Sequence, residues 1–248
     1  MTRLIKTELL KMWSIRTFKG LILGSVALAL VRFTTVVASA GRIEAFPLGT
    51  AASTRSLLQA GGSGTILLLV VGVLIVVTEI RHGTIGLTFL TTPNRWQVVM
   101  AKVAAAAFVA VAYLLTISAL LLGLIVLLFS QRGIPLDAVN GELVAGMVGI
   151  VIGMPLYAVL GVGLGALIRH HLAAIMIPLG WLLVVETLLP SFGLTRLLAW
   201  LPGGATAALA RSDLPGILPM WGGGVLLGLY AAAAVLGGGA VLAKRDIT

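Results

Sequence analysis

Residues 103–129 read VAAAAFVAVAYLLTISALLLGLIVLLF, 27 consecutive positions without a charge. A helix of that length rises about 40 Å, more than the roughly 30 Å of hydrocarbon in a bilayer. Hydrocarbon offers no partner to backbone N–H and C=O groups, so a helix that satisfies them internally is the element such a run must form. Lys102 and Arg132 bracket it as cationic ends. Working outward, five further runs of similar character occupy about 20–38, 64–80, 143–168, 172–189 and 222–243. The prediction is an all-α polytopic membrane protein with six transmembrane helices.

Composition agrees. Of 248 residues 59% are apolar and 10% charged, and the mean hydropathy is +1.13. A soluble domain carries about 25% charged residues and could not cover this much apolar surface. Cysteine is absent, which removes disulfides and thiolate metal ligands. The net charge of +9 does not indicate nucleic acid, because the cations punctuate the apolar runs instead of forming a basic face. They act as topology signals.

With the N-terminus inside, eleven of the 17 lysines and arginines fall on the cytoplasmic side: Arg3, Lys6, Lys11, Arg16, Lys19, Arg81, Arg95, Lys102, Arg169, Lys244 and Arg245. Arg32, Arg42, Arg55, Arg132, Arg196 and Arg211 lie outside, diluted by Glu44, Asp137, Glu142 and Asp213. Both termini are therefore expected in the cytoplasm, with the protein in the cell membrane. The first run is not read as a cleaved signal peptide: nineteen helix-compatible residues precede it, and it is long.

Residues 1–19 are too polar to span. On a helical wheel Arg3, Lys6, Thr7, Lys11, Ser14 and Thr17 share one arc, and Leu4, Ile5, Leu9, Met12, Trp13, Ile15 and Phe18 fill the other, with Glu8, Arg16 and Lys19 intruding on the apolar side. This pattern predicts an amphipathic interfacial helix ahead of a transmembrane domain over 20–248.

The segment between the second and third runs, TEIRHGTIGLTFLTTPNRWQVVMAK at 78–102, is the most structured of the connections. Gly83 and Gly86 permit sharp backbone, and Pro93 suits the start of a new helix. Glu79 stands at the membrane boundary, where free amides, Arg81, Arg95 and Lys102 are its expected partners. An acidic residue ending the second span, then Arg-x-Gly-Thr, then Leu-x-x-Pro-x-Arg and a lysine opening the third, resembles the permease subunits of type-2 ABC exporters. The resemblance rests on Glu79, Arg81, Gly83, Thr84, Pro93, Arg95 and Lys102, and on the order of features along nearly the whole chain. It implies that loop 79–102 couples to a separate ATP-binding cassette subunit, that a second permease copy completes a homodimer or paralogous heterodimer, and that ATP and Mg belong to the partner. The interrupted segment 190–219, with Leu201-Pro202-Gly203-Gly204, is similar to the short re-entrant helices of that family.

The chain itself has no Gly-x-x-x-x-Gly-Lys-Ser/Thr loop, no His-Glu-x-x-His pattern and no nucleophile elbow, so an enzyme is not expected and neither is a cofactor or metal site in this chain. Of the three histidines, His82, His170 and His171, the last two follow Arg169 in a tight inner turn and read as solvated loop residues and not as metal ligands. Arg32 and Glu186 are ionisable residues inside apolar runs, where charge is costly; they read as snorkelling to the outer interface, with pairing or the lining of an outer pathway as alternatives. A stripe of small residues at Gly141, Ala145, Gly149, Gly153, Gly161 and Gly165 predicts close helix packing within the subunit, and Pro155 and Pro178 predict kinks. Few charges and the outer aromatics Trp181, Phe192, Trp200 and Trp221 suit an amphiphilic or hydrophobic cargo such as a lipid, drug or antimicrobial peptide. A secondary transporter and a membrane scaffold without an ATPase are the alternatives; the first would need an internal repeat with coupled midplane ionisable groups, and the second would not need a structured loop at 79–102.

Overall fold

The computed structural model describes residues 1–40, 48, 50–92, 94–134, 140–168, 170–210 and 215–244. Among these there are helices and turns and no strand. The order is α1 (Thr2–Ser14), α2 (Arg16–Ala40), α3 (Ala51–Gly62), α4 (Thr65–Arg81), α5 (Thr84–Thr91), α6 (Arg95–Arg132), α7 (Asn140–Leu167), α8 (His171–Gly180), α9 (Glu186–Leu188), α10 (Thr195–Leu198), α11 (Pro202–Leu209) and α12 (Met220–Lys244).

Five stretches are long and apolar enough to cross a membrane: Arg16–Ser39, Gln59–Arg81, Arg95–Arg132, His171–Phe192 and Met220–Lys244. The fourth expected run lies in α7, whose apolar part among the described residues is the shorter Val151–Leu167. The 38-residue α6 contains the run that opened the sequence reading, extended at both ends.

The N-terminal segment differs from expectation in its length. α1 stops at Ser14, Ile15 adopts an extended conformation (φ −90°, ψ 121°), and α2 starts at Arg16. One non-helical residue turns the chain between an amphipathic helix and an apolar one, so Arg16 and Lys19 belong to α2.

From Gly149 to Gly165 the small-residue stripe packs inside the subunit. α7 packs against α4, α6, α11 and α12. At Gly161 a Cβ would fall 3.0 Å from the Val73 nitrogen and on the backbone carbonyl of Leu69, so the α4 backbone takes the place of a side chain. Close approach gives dispersion contacts between backbones, which is how helices associate where no hydrophobic force separates them from lipid.

Of the two prolines expected to kink their helices, Pro155 lies inside a continuous α7 and Pro178 inside α8, with the helix changing type three residues beyond it. After α8 the chain makes a π-helical turn over Trp181–Val185, where the Glu186 N–H donates to the Trp181 carbonyl, and then a 3₁₀ turn over Leu189–Phe192. A proline removes one helical donor, and the widened turn that follows redirects the side chain of Glu186.

Four helix ends meet at one end of the bundle. The α1 side chains reach the end of α4 and the start of α6, and Arg95 at the start of α6 donates to the carbonyls of Leu242 (2.9 Å) and Ala243 (3.3 Å) at the end of α12.

Candidate functional site

The ionic centre of this end is built from α1, α4 and α6. Lys102 Nζ donates to Glu8 Oε2 at 2.7 Å and to the Ile75 carbonyl at 3.4 Å, and pairs with Glu79 Oε2 at 2.8 Å. Lys11 Nζ donates to Glu8 Oε1 at 2.9 Å and to Glu79 Oε1 at 2.8 Å. Glu8, Lys11, Glu79 and Lys102 thus alternate in sign around a closed ring of zero formal charge. Glu8 and Glu79 are buried, and the Lys102 side chain is only 1% exposed. Burying charges costs several kcal/mol per ion, and only such mutual pairing repays it.

Each side chain arrives for a local reason. Glu8 and Lys11 are three apart on α1 and so share a face. Glu79 lies two residues before the end of α4, and Lys102 lies two turns into α6. The connection between them begins at Gly83, whose φ of 67° only glycine adopts without strain, and continues into α5. The Thr84 hydroxyl donates to the Glu79 carbonyl at 3.5 Å, and the Asn94 side chain caps α6 by accepting from the Gln97 N–H at 3.3 Å.

Of the residues singled out in the sequence, Glu79 and Lys102 meet as expected. Arg81 is exposed at the end of α4, and Arg95 turns to the end of α12 and lies over the Phe89 ring at 5.2 Å. Glu79 pairs with Lys102 and Lys11 instead: Arg81, two residues on, lies about 200° round α4, and Arg95 shares the face of Lys102 but sits two turns nearer the start of α6. Pro93 lies outside the described residues, as do Arg169 and Arg245 of the topology count. Glu8 and Lys11 were missing from the expected site. The signal existed: Glu8 is the one acid on the apolar arc of α1, a position where a carboxylate is costly unless a cation meets it.

Burial draws the Lys11 ammonium downward, but the hydrogen bonds and charges of Glu79 and Glu8 outweigh it and hold its pKa above the ordinary 10.5. A raised folded value means that Lys11 stabilises fully below the unfolded value and loses its contribution as pH rises through the folded one. Lys11→Met should therefore melt below wild type at neutral pH, with the gap in melting temperature closing above roughly pH 10.5; a gap that persists at high pH would show that Lys11 acts through packing alone.

At the other end, Arg32 and Glu186 do not form the pair that was one alternative for them. Arg32 is exposed on α2, whereas Glu186 is buried and its Oε2 accepts from the Gly203 N–H at 2.6 Å, at the start of α11. The free amides and dipole of that helix start supply what the arginine would have supplied in that pair. Beside it Tyr157 donates to the Pro202 carbonyl at 3.0 Å, and Thr206 donates to the Tyr157 oxygen at 2.8 Å. The segment 190–219 does contain short helices, α10 and α11, and Tyr157 together with Glu186 fastens the second of them to α7 and the end of the fifth apolar run. No group of histidines and acids with metal-binding geometry occurs among the described residues. No family model and no curated relative matches the chain, so any functional reading stands on its own residues.

Proposed function

We propose that this chain is the membrane-spanning permease subunit of an ATP-driven type-2 ABC exporter, moving an amphiphilic or hydrophobic substrate out of the cell with energy from a separate ATPase chain. The observation that carries the reading is the ring of Glu8, Lys11, Glu79 and Lys102. A permease driven from outside needs a stiff joint between its docking loop and its spans, since a slack connection absorbs displacement before helices feel it. The ring clamps both flanks of loop 79–102 and ties them to α1, so α1, α4 and α6 are disposed to move together.

The six-span layout has support from the meeting of helix ends. α2 starts and α12 ends at the same end of the bundle, which requires an even number of crossings; α7, at 28 residues, supplies the sixth beside the five long apolar stretches. In this reading α1 lies at the inner interface with Trp13 and the cations at headgroup level, both termini face the cytoplasm, and α10 and α11 are re-entrant from the outer side. A second permease copy completes the pathway, and loop 79–102 receives the ATPase.

Co-purification tests the partner: the tagged chain expressed from its native chromosomal neighbourhood should retain an ATP-binding cassette subunit, and isolation of a single copy with no ATPase would count decisively against the proposal. Coupling is tested by Gly83→Val. No atom lies within 4 Å of a Cβ there, so the effect is conformational, and a β-branched residue at φ 67° costs on the order of 1–3 kcal/mol locally. The expected outcome is an assembled complex in which transport and substrate-stimulated ATP turnover fall together by about tenfold or more. Normal transport in an intact complex would remove the mechanical role from this loop.

A further inference from the structure

Between α1, the first half of α2 and the middle of α6 lies a laterally open groove of about 500 Å³, lined by Leu9, Met12, Trp13, Phe18, Phe108 and their neighbours. Its wall is apolar except at the mouth, where Lys6 and Lys19 stand, and no carboxylate lines it. Both lysines are exposed, and Lys19 Nζ sits 5.5 Å from the centre of the Trp13 ring. Glu8, the acid of α1, is buried in the ion ring and is held by Lys102.

The dimensions run along the membrane normal in the proposed orientation. On α6 the groove runs from Phe108 to Thr116, eight residues or about 12 Å, which is a large part of one leaflet of the hydrocarbon. A cationic mouth at one end and an apolar trough of that length fit one kind of molecule, with an anionic head and a long hydrocarbon chain. Free fatty acid chains and lipids share this shape, but the two separated lysines favour a headgroup that presents its charge at the level of the leaflet surface, where each basic side chain adds to attraction for anionic lipid.

We infer that the groove between α1, α2 and α6 is a binding site for one anionic phospholipid of the inner leaflet, with its phosphate between Lys6 and Lys19 and an acyl chain along Phe108, Ala112 and Thr116. The lipid is a resident of the groove and not the transported cargo, and the site stands whether or not an ATPase drives the chain. Its position has a consequence: the lipid packs against the same α1 that the ion ring holds to α4 and α6, so the composition of the leaflet bears directly on that clamp.

The test uses the full chain in phosphatidylcholine nanodiscs with phosphatidylglycerol or further phosphatidylcholine carrying acyl-chain bromines, read as quenching of the fluorescence that Trp13→Phe removes. Each lysine is worth about fivefold in local lipid preference, so phosphatidylglycerol should quench at an about 25-fold lower mole fraction than phosphatidylcholine. Lys6→Gln with Lys19→Gln should bring the two lipids level, and Ala112→Phe, which fills the trough and keeps both charges, should remove the acyl-chain quenching. Equal quenching by both lipids in wild type overturns the inference. So does full preference retained in Ala112→Phe, since attraction by surface charge alone would behave in that way. Because the chain lacks cysteine, Thr116→Cys provides the last arm: efficient disulfide formation between two copies in phosphatidylglycerol nanodiscs would show a second chain covering the groove, and would overturn the lipid assignment.

Discussion

Lys102→Met is expected to be among the most damaging single substitutions in the protein. The side chain is 1% exposed and joins both buried carboxylates, so removing it leaves Glu8 and Glu79 facing each other with Lys11 as their single shared cation. Breaking a buried ion pair by deleting one partner costs about 3–5 kcal/mol, because the remaining charge stays desolvated. Methionine keeps the length of the stem, which separates loss of charge from loss of packing. Thermal unfolding in nanodiscs should show a large fall in melting temperature. Adding Glu8→Gln restores electrical balance and should recover much of the loss; the double-mutant comparison is the decisive measurement, since additive losses would mean that the ring is not an electrostatic unit. Glu79→Ala belongs to the same unit, so its effect on the proposed transport would mix the proposed coupling with stability, and Gly83→Val is the cleaner probe of the loop.

Gly161→Val is the second substitution with a large expected effect. The added Cβ meets backbone of α4, at the Leu69 carbonyl and 3.0 Å from the Val73 nitrogen, and backbone cannot change rotamer to make room. Overpacking that side chains can relieve costs about 1–3 kcal/mol; here two central helices must separate, so the loss should exceed that range and reduce the folded yield. Gly123→Ala is the control on the same chemistry. No atom lies within 4 Å of its Cβ, and replacing a mid-helix glycine there should stabilise by about 0.5–1 kcal/mol. Limited proteolysis and melting temperature of the two variants side by side would check the contrast; equal tolerance would mean that α4 and α7 are not packed backbone to backbone.

Much of this architecture was legible in one dimension. Hydrocarbon forbids unpaired backbone, so an uncharged run such as 103–129 has a single regular solution, and the positions of α2, α4, α7 and α12 follow within about four residues, whereas α6 begins earlier, at Arg95, and α8 ends at Gly180. The glycine repeat of α7 announced close packing and Gly83 a special backbone position, but Gly86 lies inside α5 and Pro155 inside a continuous α7, because whether such a residue bends the chain depends on what packs around it. What stayed hidden was partnership. Glu79 had four cations or amide groups within sequence reach, and Lys11, 68 positions away, became a partner only when α1 folded back onto the ends of α4 and α6. Arg32 and Glu186 shared a depth in the sequence but not a neighbourhood, since the π turn swings Glu186 onto the amide of Gly203. Periodicity and composition determine how each segment meets the membrane, because that is a matter between one helix and its solvent; which charges neutralise one another depends on the relative rotation and tilt of helices, and only the packed tertiary structure decides that.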